Sequence, residues 1–215
     1  MKYKAVLFDM DGTVLDTLED LRSAVNRTLA EFDMPQCTLE QVRCYVGNGA
    51  RRLIEQAVPQ GSSEETVETV LSWFKAYYEQ HCLVTTGPYA GIIPLMERLK
   101  AKGVKMAVVS NKPDEAVREL AERFFPGLLE LAAGQKDSVP RKPAPDMVEL
   151  AMADMGVSKA ESVYVGDSEV DVLTAANAGL DCICVTWGFR TLAELEAAGA
   201  EKLVHTMEEL ENEII

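Results

Sequence analysis

The sequence predicts an α/β protein whose parallel sheet is covered by helices and whose first strand is separated from the others by a helical insertion. Three observations carry that expectation. A short apolar run, Ala5-Val6-Leu7-Phe8, ends directly in the acids Asp9 and Asp11. Residues 17 to 85 then follow helical periodicity throughout. After Gly87-Pro88 and Gly91, short β-branched runs alternate with helical patterns, the βαβ rhythm of a parallel sheet.

Residues 4 to 8 are apolar enough for a strand buried on both faces. From Leu18 to Phe32 the apolar residues Leu18, Leu21, Ala24, Val25, Leu29 and Phe32 recur at three- and four-residue steps, which lines one face of a helix. Thr38 and Gln41 have the spacing of a capping box, Gly47-Asn48-Gly49 punctuates the chain, and a helix is expected from about Ala50 to Val58. Ser63 is placed to cap a helix through Tyr78, whose Trp73, Phe74, Tyr77 and Tyr78 are expected to fill the core of the insertion. A helix from Ile93 to Lys102 precedes the apolar run Val104 to Val109, short and β-branched like a buried parallel strand. Helices at 113–124, 145–155 and 170–178 then alternate with strands at 128–133, 162–165 and 182–186. The acidic stretch Glu208 to Glu213 reads as a solvated helix face. The economical architecture joins residues 1–16 and 88–215 into one α/β core and leaves 17–87 as a helical domain, with the turns at each crossing able to act as hinges.

The chain has 215 residues and a formal net charge of −14. That charge speaks against a nucleic-acid backbone or an anionic membrane surface as partner, since both would be repelled. A small anion is still permitted, because screening confines surface fields to roughly 8 Å and a few local cations suffice to hold it. The five cysteines, Cys37, Cys44, Cys82, Cys182 and Cys184, lack paired zinc or redox spacing and are expected to be reduced. The N-terminus shows no signal-peptide pattern and no apolar run reaches the roughly 18 residues of a membrane span, so a cytoplasmic location is expected. His81 and His205 have no ligand-spaced partner, which leaves metal binding to carboxylates.

Strand ends are where open α/β sheets receive ligands. Asp9 and Asp11, two apart on an extended chain, repel each other and need a cation, a proton or a hydrogen-bond cage to coexist. Gly12 lets the backbone approach a ligand closely and Thr13 offers a hydroxyl; a plainer reading of the same acids is turn formation. Three further polar clusters fall at or near predicted strand ends: Ser110-Asn111-Lys112, Arg141-Lys142-Pro143, and Asp167 with Asp171. Asp9 and Asp167 with a backbone carbonyl suit Mg²⁺, a hard cation that takes oxygen ligands, while Ser110, Asn111 and Lys142 can donate to phosphate oxygens. Lys112 reads equally as a further anion contact or as a surface charge.

With FDMDGTVLDT at 8 to 17, VVSNK at 108 to 112, RKPAPD at 141 to 146 and VGDSEVD at 165 to 171, the chain resembles the haloacid dehalogenase superfamily, specifically its phosphoglycolate phosphatase-like branch. Val46-Gly47-Asn48-Gly49-Ala50 and Thr186-Trp187-Gly188-Phe189-Arg190 are similar to segments of that branch as well. The resemblance implies a Rossmann-like parallel sheet core with a helical cap domain inserted after the first strand. It implies a Mg²⁺-dependent phosphatase of a small phosphorylated metabolite, 2-phosphoglycolate being the first candidate, active as a monomer or homodimer. Asp9 would be the nucleophile that forms an aspartyl phosphate, and Asp11 the acid and then base of the two half-reactions. Asp9, the Asp11 carbonyl and Asp167 would bind the metal, with Ser110 and Lys142 completing the catalytic set. Asp171 would orient ligands or pair with Lys142, although its place also suits an acid favoured by a helix N-terminus. Gly12, Thr13, Ser110, Asn111 and Lys142 would contact the phosphate. In the cap, Gly47, Asn48 and Arg51, with Arg52 as a second candidate, would read the leaving group, simple exposure being the other reading of either arginine.

Other chemistries could share these core residues: a sugar phosphatase, a pyrophosphatase or a β-phosphoglucomutase-like enzyme. A haloalkanoate dehalogenase fits less well, because it needs neither metal nor a proton donor at Asp11. A phosphoacceptor signalling domain would place the acid pair and the acceptor on different strands and would lack the helical insertion. A catalytically idle interaction protein on the same fold is a third class.

Overall fold

Ala5–Phe8 forms the first strand, β1, and all four residues are buried, as a run without polar side chains requires. In the computed structural model, which describes residues 1–215, the chain divides into two compact units: Met1–Leu15 with Pro88–Ile215, and Asp16–Gly87. The chain crosses between them at β2, Leu15–Asp16, and β3, Gly87–Pro88, and these two short strands pair with each other.

The Asp16–Gly87 unit is built from α1 (Leu18–Glu31), α2 (Leu39–Tyr45), α3 (Gly49–Ala57) and α4 (Glu64–His81). At the start of α2 the Gln41 N–H donates to Thr38 Oγ1 at 3.2 Å and the Thr38 N–H to Gln41 Oε1 at 2.8 Å, a reciprocal cap. Ser63 caps α4 by accepting the Thr66 N–H at 3.2 Å. Leu21, Val25, Leu29, Ile54, Val70, Phe74 and Tyr78 are buried in this unit. The aromatic residues of α4 separate into two rows. Phe74 stacks on buried Tyr78, whereas Trp73, Tyr77 and His81 stack along a half-buried row, with ring centroids 5.2 and 3.9 Å apart. Trp73 and Tyr77 therefore depart from the core placement expected of them: steps of four keep each row together, and rows one residue apart lie about 100° around the helix.

The approach to the second crossing is secured from within this unit by Asp20, on the first turn of α1. Its buried carboxylate accepts the N–H groups of Val84, Thr85 and Thr86 at 2.9 to 3.0 Å and the Thr85 hydroxyl at 2.7 Å. Burial alone would raise the Asp20 carboxyl, but the bonds from Thr85 and Thr86 outweigh it and hold it below its ordinary 3.8.

The other unit carries a six-stranded sheet in the order β5-β4-β1-β6-β7-β8, where β4 is Lys105–Pro113, β5 Leu131–Gln135, β6 Ser162–Gly166, β7 Asp181–Val185 and β8 Leu203–Val204. Its pairings are parallel, and Phe8 of β1 lies opposite Val108 on one side and Val165 on the other. The chain leaves β1 for β4 and β5, then returns to β6 on the far side. The strand order therefore switches direction between β1 and β6, the place where ligands are received at the C-terminal ends of strands in open α/β sheets. Helices α5 (Ile92–Ala101), α6 (Asp114–Phe124), α7 (Asp146–Met155) and α8 (Glu169–Ala178) alternate with the strands. One buried cluster joins Leu7, Ala107 and Tyr164 of the sheet to Met147, Val148 and Ala151 of α7 and to Ala175 and Ala178 of α8.

The structure shifts two strands from their expected places. β4 runs on past Val109 to Pro113, because β5 pairs with it on both sides of a register shift, Val109 opposite Ala133 and Pro113 opposite Gln135. β5 starts at Leu131 because the Leu128 N–H turns back onto the Phe125 carbonyl and Gly127 takes a φ of +70° there. After β7 the sequence carries no clear periodicity apart from the acidic stretch near the end. It forms α9 (Leu192–Ala197), β8 and α10 (Met207–Ile214), and the Thr191-x-x-Glu194 spacing is a capping box that announces α9. No helix is long and apolar enough to cross a membrane.

Asp20→Asn tests the clasp at the second crossing. Loss of the charge from several hydrogen bonds is expected to cost about 2–3 kcal/mol, a fall in Tm of roughly 4–12 °C at pH 7. Because the folded carboxyl lies below its ordinary value, its contribution is complete above about pH 4 and fades as the pH falls further. The difference in Tm between wild type and variant should therefore shrink at pH 3, and a constant difference would show that the charge plays no part.

Candidate active site

The Asp9 N–H donates to the Val165 carbonyl at 2.8 Å, so Asp9 occupies the last rung of the ladder between β1 and β6. The chain then turns sharply: the N–H groups of Thr13, Val14 and Leu15 all reach the Met10 carbonyl at 3.0 to 3.3 Å, and Gly12 adopts a φ of +90°. A Cβ at Gly12 would stand 2.3 Å from Asp167 Oδ2, so the absence of a side chain there lets the two strand ends meet.

Lys142 is 2% exposed, and its ammonium donates to Asp9 Oδ1 at 2.7 Å, to the Tyr164 hydroxyl at 2.8 Å and to Asp171 Oδ1 at 3.0 Å. Three N–H groups meet three acceptors, which is what a buried ammonium needs. Asp171, in the first turn of α8, takes Lys142 and Tyr164 on Oδ1, and the Ser168 hydroxyl and the N–H groups of Ser168 and Asp167 on Oδ2. Asp167 accepts the Thr13 hydroxyl at 3.1 Å and the Phe189 N–H at 2.6 Å. Asp11 pairs with another lysine: Lys112 Nζ lies 3.0 Å from its Oδ1.

Ser110 is buried and accepts the Lys112 N–H at 3.2 Å. Asn111, expected as a phosphate donor, turns its side chain to the Lys142 loop. Its amide nitrogen donates to the Lys142 carbonyl and its amide oxygen accepts the Lys142 N–H, both at 2.9 Å. A carboxamide matched to both sides of one peptide holds the Lys142 loop against β4.

Oxygens of Asp9, Asp167 and Asp171 come within 4.8 Å of one another. Burial pushes the Asp9 carboxyl up to about 7; Lys142 pulls it down, while Asp171 and Asp11 push it further up. Burial, then Asp171 and Asp9, raise Asp167 well above the carboxylate range. Burial would depress Lys142, but Asp171 and Asp9 outweigh it and keep the ammonium charged. Four carboxyls, Asp9, Asp11, Asp167 and Asp171, share this edge with two ammoniums, Lys112 and Lys142, so full ionisation of the acids leaves two negative charges over. The donor set is all oxygen and its excess matches one divalent cation, so the residues present fit a hard metal ion. Asp171 belongs to the cluster by distance, but its oxygens carry five protein donors, the Lys142 ammonium among them, against two neutral donors on Asp167 and that one ammonium on Asp9, which leaves Asp9 and Asp167 as the better ligands.

The structure thus brings Asp9, Asp11, Gly12, Thr13, Ser110, Asn111, Lys142, Asp167 and Asp171 to one edge of one sheet. Gly47, Asn48, Arg51 and Arg52 belong to the helical unit. There Arg51 pairs with Glu55 at 3.0 Å and also with Glu64 and Glu68, and Arg52 with Glu55 at 3.2 Å. Arg51 is therefore surrounded by carboxylates of its own unit. α3 begins at Gly49, and the Asn48 side chain makes no cap bond. Two participants had no reading of their own in the sequence. Tyr164 looked like one more buried strand residue, although a buried tyrosine hydroxyl needs a partner. Segment 186–190 stood out by resemblance alone; the Phe189 N–H anchors Asp167, and Trp187 Nε1 donates to the Thr13 carbonyl at 3.1 Å.

Residues 6–185 match the haloacid dehalogenase-like hydrolase family. Phosphoglycolate phosphatase 1 of Pseudomonas aeruginosa is 36% identical over 201 residues, covering 89% of this chain and 73% of that protein. The phosphoglycolate phosphatase of Pseudomonas putida is 33% identical over 214 residues, covering 96% of this chain and 78% of its own. A crystal structure of a candidate phosphoglycolate phosphatase from Lactobacillus delbrueckii subsp. bulgaricus has 41% identity and a TM-score of 0.95, covering 100% of this chain and 99% of that one.

Gly188 offers a test of how tightly this edge is assembled. A Cβ there would lie 2.3 Å from Asp167 Cβ and 2.5 Å from the Gly12 carbonyl oxygen, both parts of the site. Gly188→Ala is expected to cost about 1–3 kcal/mol by overpacking, seen as a Tm lower by roughly 2–12 °C. An unchanged Tm would mean that the 186–190 segment is free to move away.

Proposed function

The chain belongs to the haloacid dehalogenase-like hydrolase family and is a phosphatase, a phosphoric monoester hydrolase, and on that premise we propose that it hydrolyses a small phosphorylated metabolite with Mg²⁺, through an aspartyl phosphate on Asp9. The observation that carries the mechanism is the separate pairing of the two acids, Asp9 with Lys142 at 2.7 Å and Asp11 with Lys112 at 3.0 Å. Two carboxylates two residues apart thereby acquire different surroundings, which suits different tasks.

Asp9 attacks phosphorus: a bond forms from its carboxylate oxygen as the bond to the alkoxide breaks. Asp11 enters this step protonated, with Lys112 donating to its other oxygen, and gives its proton to that alkoxide, leaving the carboxylate. In the second half-reaction Asp11 takes a proton from water as the water oxygen bonds to phosphorus, and the bond to Asp9 breaks to release inorganic phosphate. Lys142 offsets negative charge beside Asp9, Asp171 and Tyr164 hold Lys142 in place, and Ser110 and Thr13 are the hydroxyls that the motifs offer to the phosphate oxygens. Asp9, Asp167 and the Asp11 carbonyl would hold Mg²⁺, which when bound supplies the positive charge that lets an anionic nucleophile approach a phosphate dianion.

The names of the relatives support 2-phosphoglycolate as the first substrate to try. Residues 17–87 would serve as the cap that reads the leaving group, with Gly47, Asn48 and Arg51 as its contacts; Arg51 would exchange a carboxylate of its own unit for one on the substrate. The reading is of a cytoplasmic enzyme, monomer or homodimer, with no nucleic-acid or membrane partner.

Phosphate release measured by kcat/KM over a panel of phosphorylated metabolites tests the substrate. A preference of about a hundredfold or more for 2-phosphoglycolate, lost with a chelator and restored by Mg²⁺, is expected; a flat profile or metal-independent turnover overturns the reading. Asp9→Asn is expected to lower turnover by at least ~10³-fold with unchanged circular dichroism. Substantial residual activity would remove Asp9 as nucleophile.

A further inference from the structure

We propose that Lys112 is a positioning residue for proton transfer: its ammonium holds the Asp11 carboxylate at the active edge, so that the aim of the acid depends on a side chain from the neighbouring strand. The inference deepens the preceding section and rests on Asp11 as the group that protonates the leaving alkoxide.

A lysine followed by Pro113-Asp114 at the end of a strand is ordinarily solvated. Here β4 continues through it, and Lys112 is 6% exposed. An ammonium this deep is costly unless paired, and Asp11 Oδ1 stands 3.0 Å from it. Its backbone is fixed as well. The Lys112 N–H donates to Ser110 Oγ, and its carbonyl oxygen lies 2.6 Å from where a Cβ on Gly134 would stand. The Gly134 N–H in turn donates to Asp114 Oδ1 at 3.0 Å, so β5 is fastened against this turn of β4. The root of the lysine side chain therefore has little freedom, and its tip carries that order to Asp11. Lys142 cannot substitute, because it spends its three N–H groups on Asp9, Asp171 and Tyr164.

A carboxylic acid must lie within about 2.6–3.2 Å of the oxygen it protonates, and pairing one carboxylate oxygen fixes rotation of the group. In the first half-reaction, which kcat/KM reports, leaving groups that need a proton should feel the loss of Lys112, whereas leaving groups that depart as stable anions should not. Charge neutralisation at the phosphate would instead affect both alike.

The test compares kcat/KM on 2-phosphoglycolate or glycerol phosphate with kcat/KM on p-nitrophenyl phosphate, for wild type, Lys112→Met, Asp11→Asn and the double variant. Lys112→Met is expected to cost roughly 10- to 100-fold on the alkyl phosphate and less than about 3-fold on the aryl phosphate, with KM little changed. In the Asp11→Asn background it should have almost no further effect, because the two residues act as one unit. Lys112→Gln serves where the methionine variant does not fold, and the double variant leaves neither charge buried alone. Equal losses on both substrates, an effect on KM alone, or an undiminished loss in the Asp11→Asn background overturn the role of Lys112. If Asp11→Asn itself slows both substrates equally, the proton-donor reading of Asp11 falls, and the inference falls with it.

Discussion

The whole catalytic edge depends on one buried ammonium. Lys142 sits where carboxylates from two different strand ends converge, and without its charge Asp9 and Asp171 would face each other across a medium that screens poorly. The rest of the core spends its polar groups keeping that ammonium in place. Asn111 clasps the Lys142 peptide from β4, Tyr164 gives it a third acceptor from β6, and Asp171 is itself held by Ser168 and by backbone N–H groups at the start of α8. Such a network is worth more complete than half-made, since any unpaired member would be a bare charge or dipole in a dry interior.

Lys142 leaves the balance of charge unfinished. Two ammoniums set against four carboxylates leave the site short of positive charge, and burial first, then the neighbouring carboxylates, raise the carboxyls of Asp9 and Asp167. A divalent cation held there would supply the missing charge for a phosphate ester. This explains how a chain of net charge −14 can still receive a dianion. The field that matters acts over a few ångströms at the strand ends, and the surface charge is screened.

Close backbone approach makes this concentration of charge possible. A side chain at Gly12, Gly166 or Gly188 would overlap Asp167 or Asp171, so the loops after β1, β6 and β7 meet only because those positions carry none. The parallel topology supplies the other condition, since β1 lies between β4 and β6 and all the motif-bearing loops leave from the same edge. The helical unit follows a different logic, with exposed carboxylates around Arg51 and a carboxylate clasp at Asp20 that gathers the second crossing onto α1.

Much of this was legible along the chain. Periodicity located β1, the four helices of the insertion and the alternation after residue 88, because burial imposes its period on any sequence that folds around a core. The strand-end acids, Ser110 and Lys142 announced themselves by residue type and by position in four ordered motifs. Local rules could not say what those residues touch. Asn111 reads like a phosphate donor until the Lys142 peptide is found against it. Tyr164 reads like core until its hydroxyl is seen between Lys142 and Asp171. Lys112 reads equally as an anion contact or a surface charge until β4 is seen to continue through it, and nothing local says that Arg51 meets Glu64 and Glu68 as well as Glu55. Residue type and spacing determine what a side chain is able to do, since both are properties of the chain itself. Its partner is chosen by segments tens or hundreds of residues away, and only the folded sheet brings those within a hydrogen bond of each other.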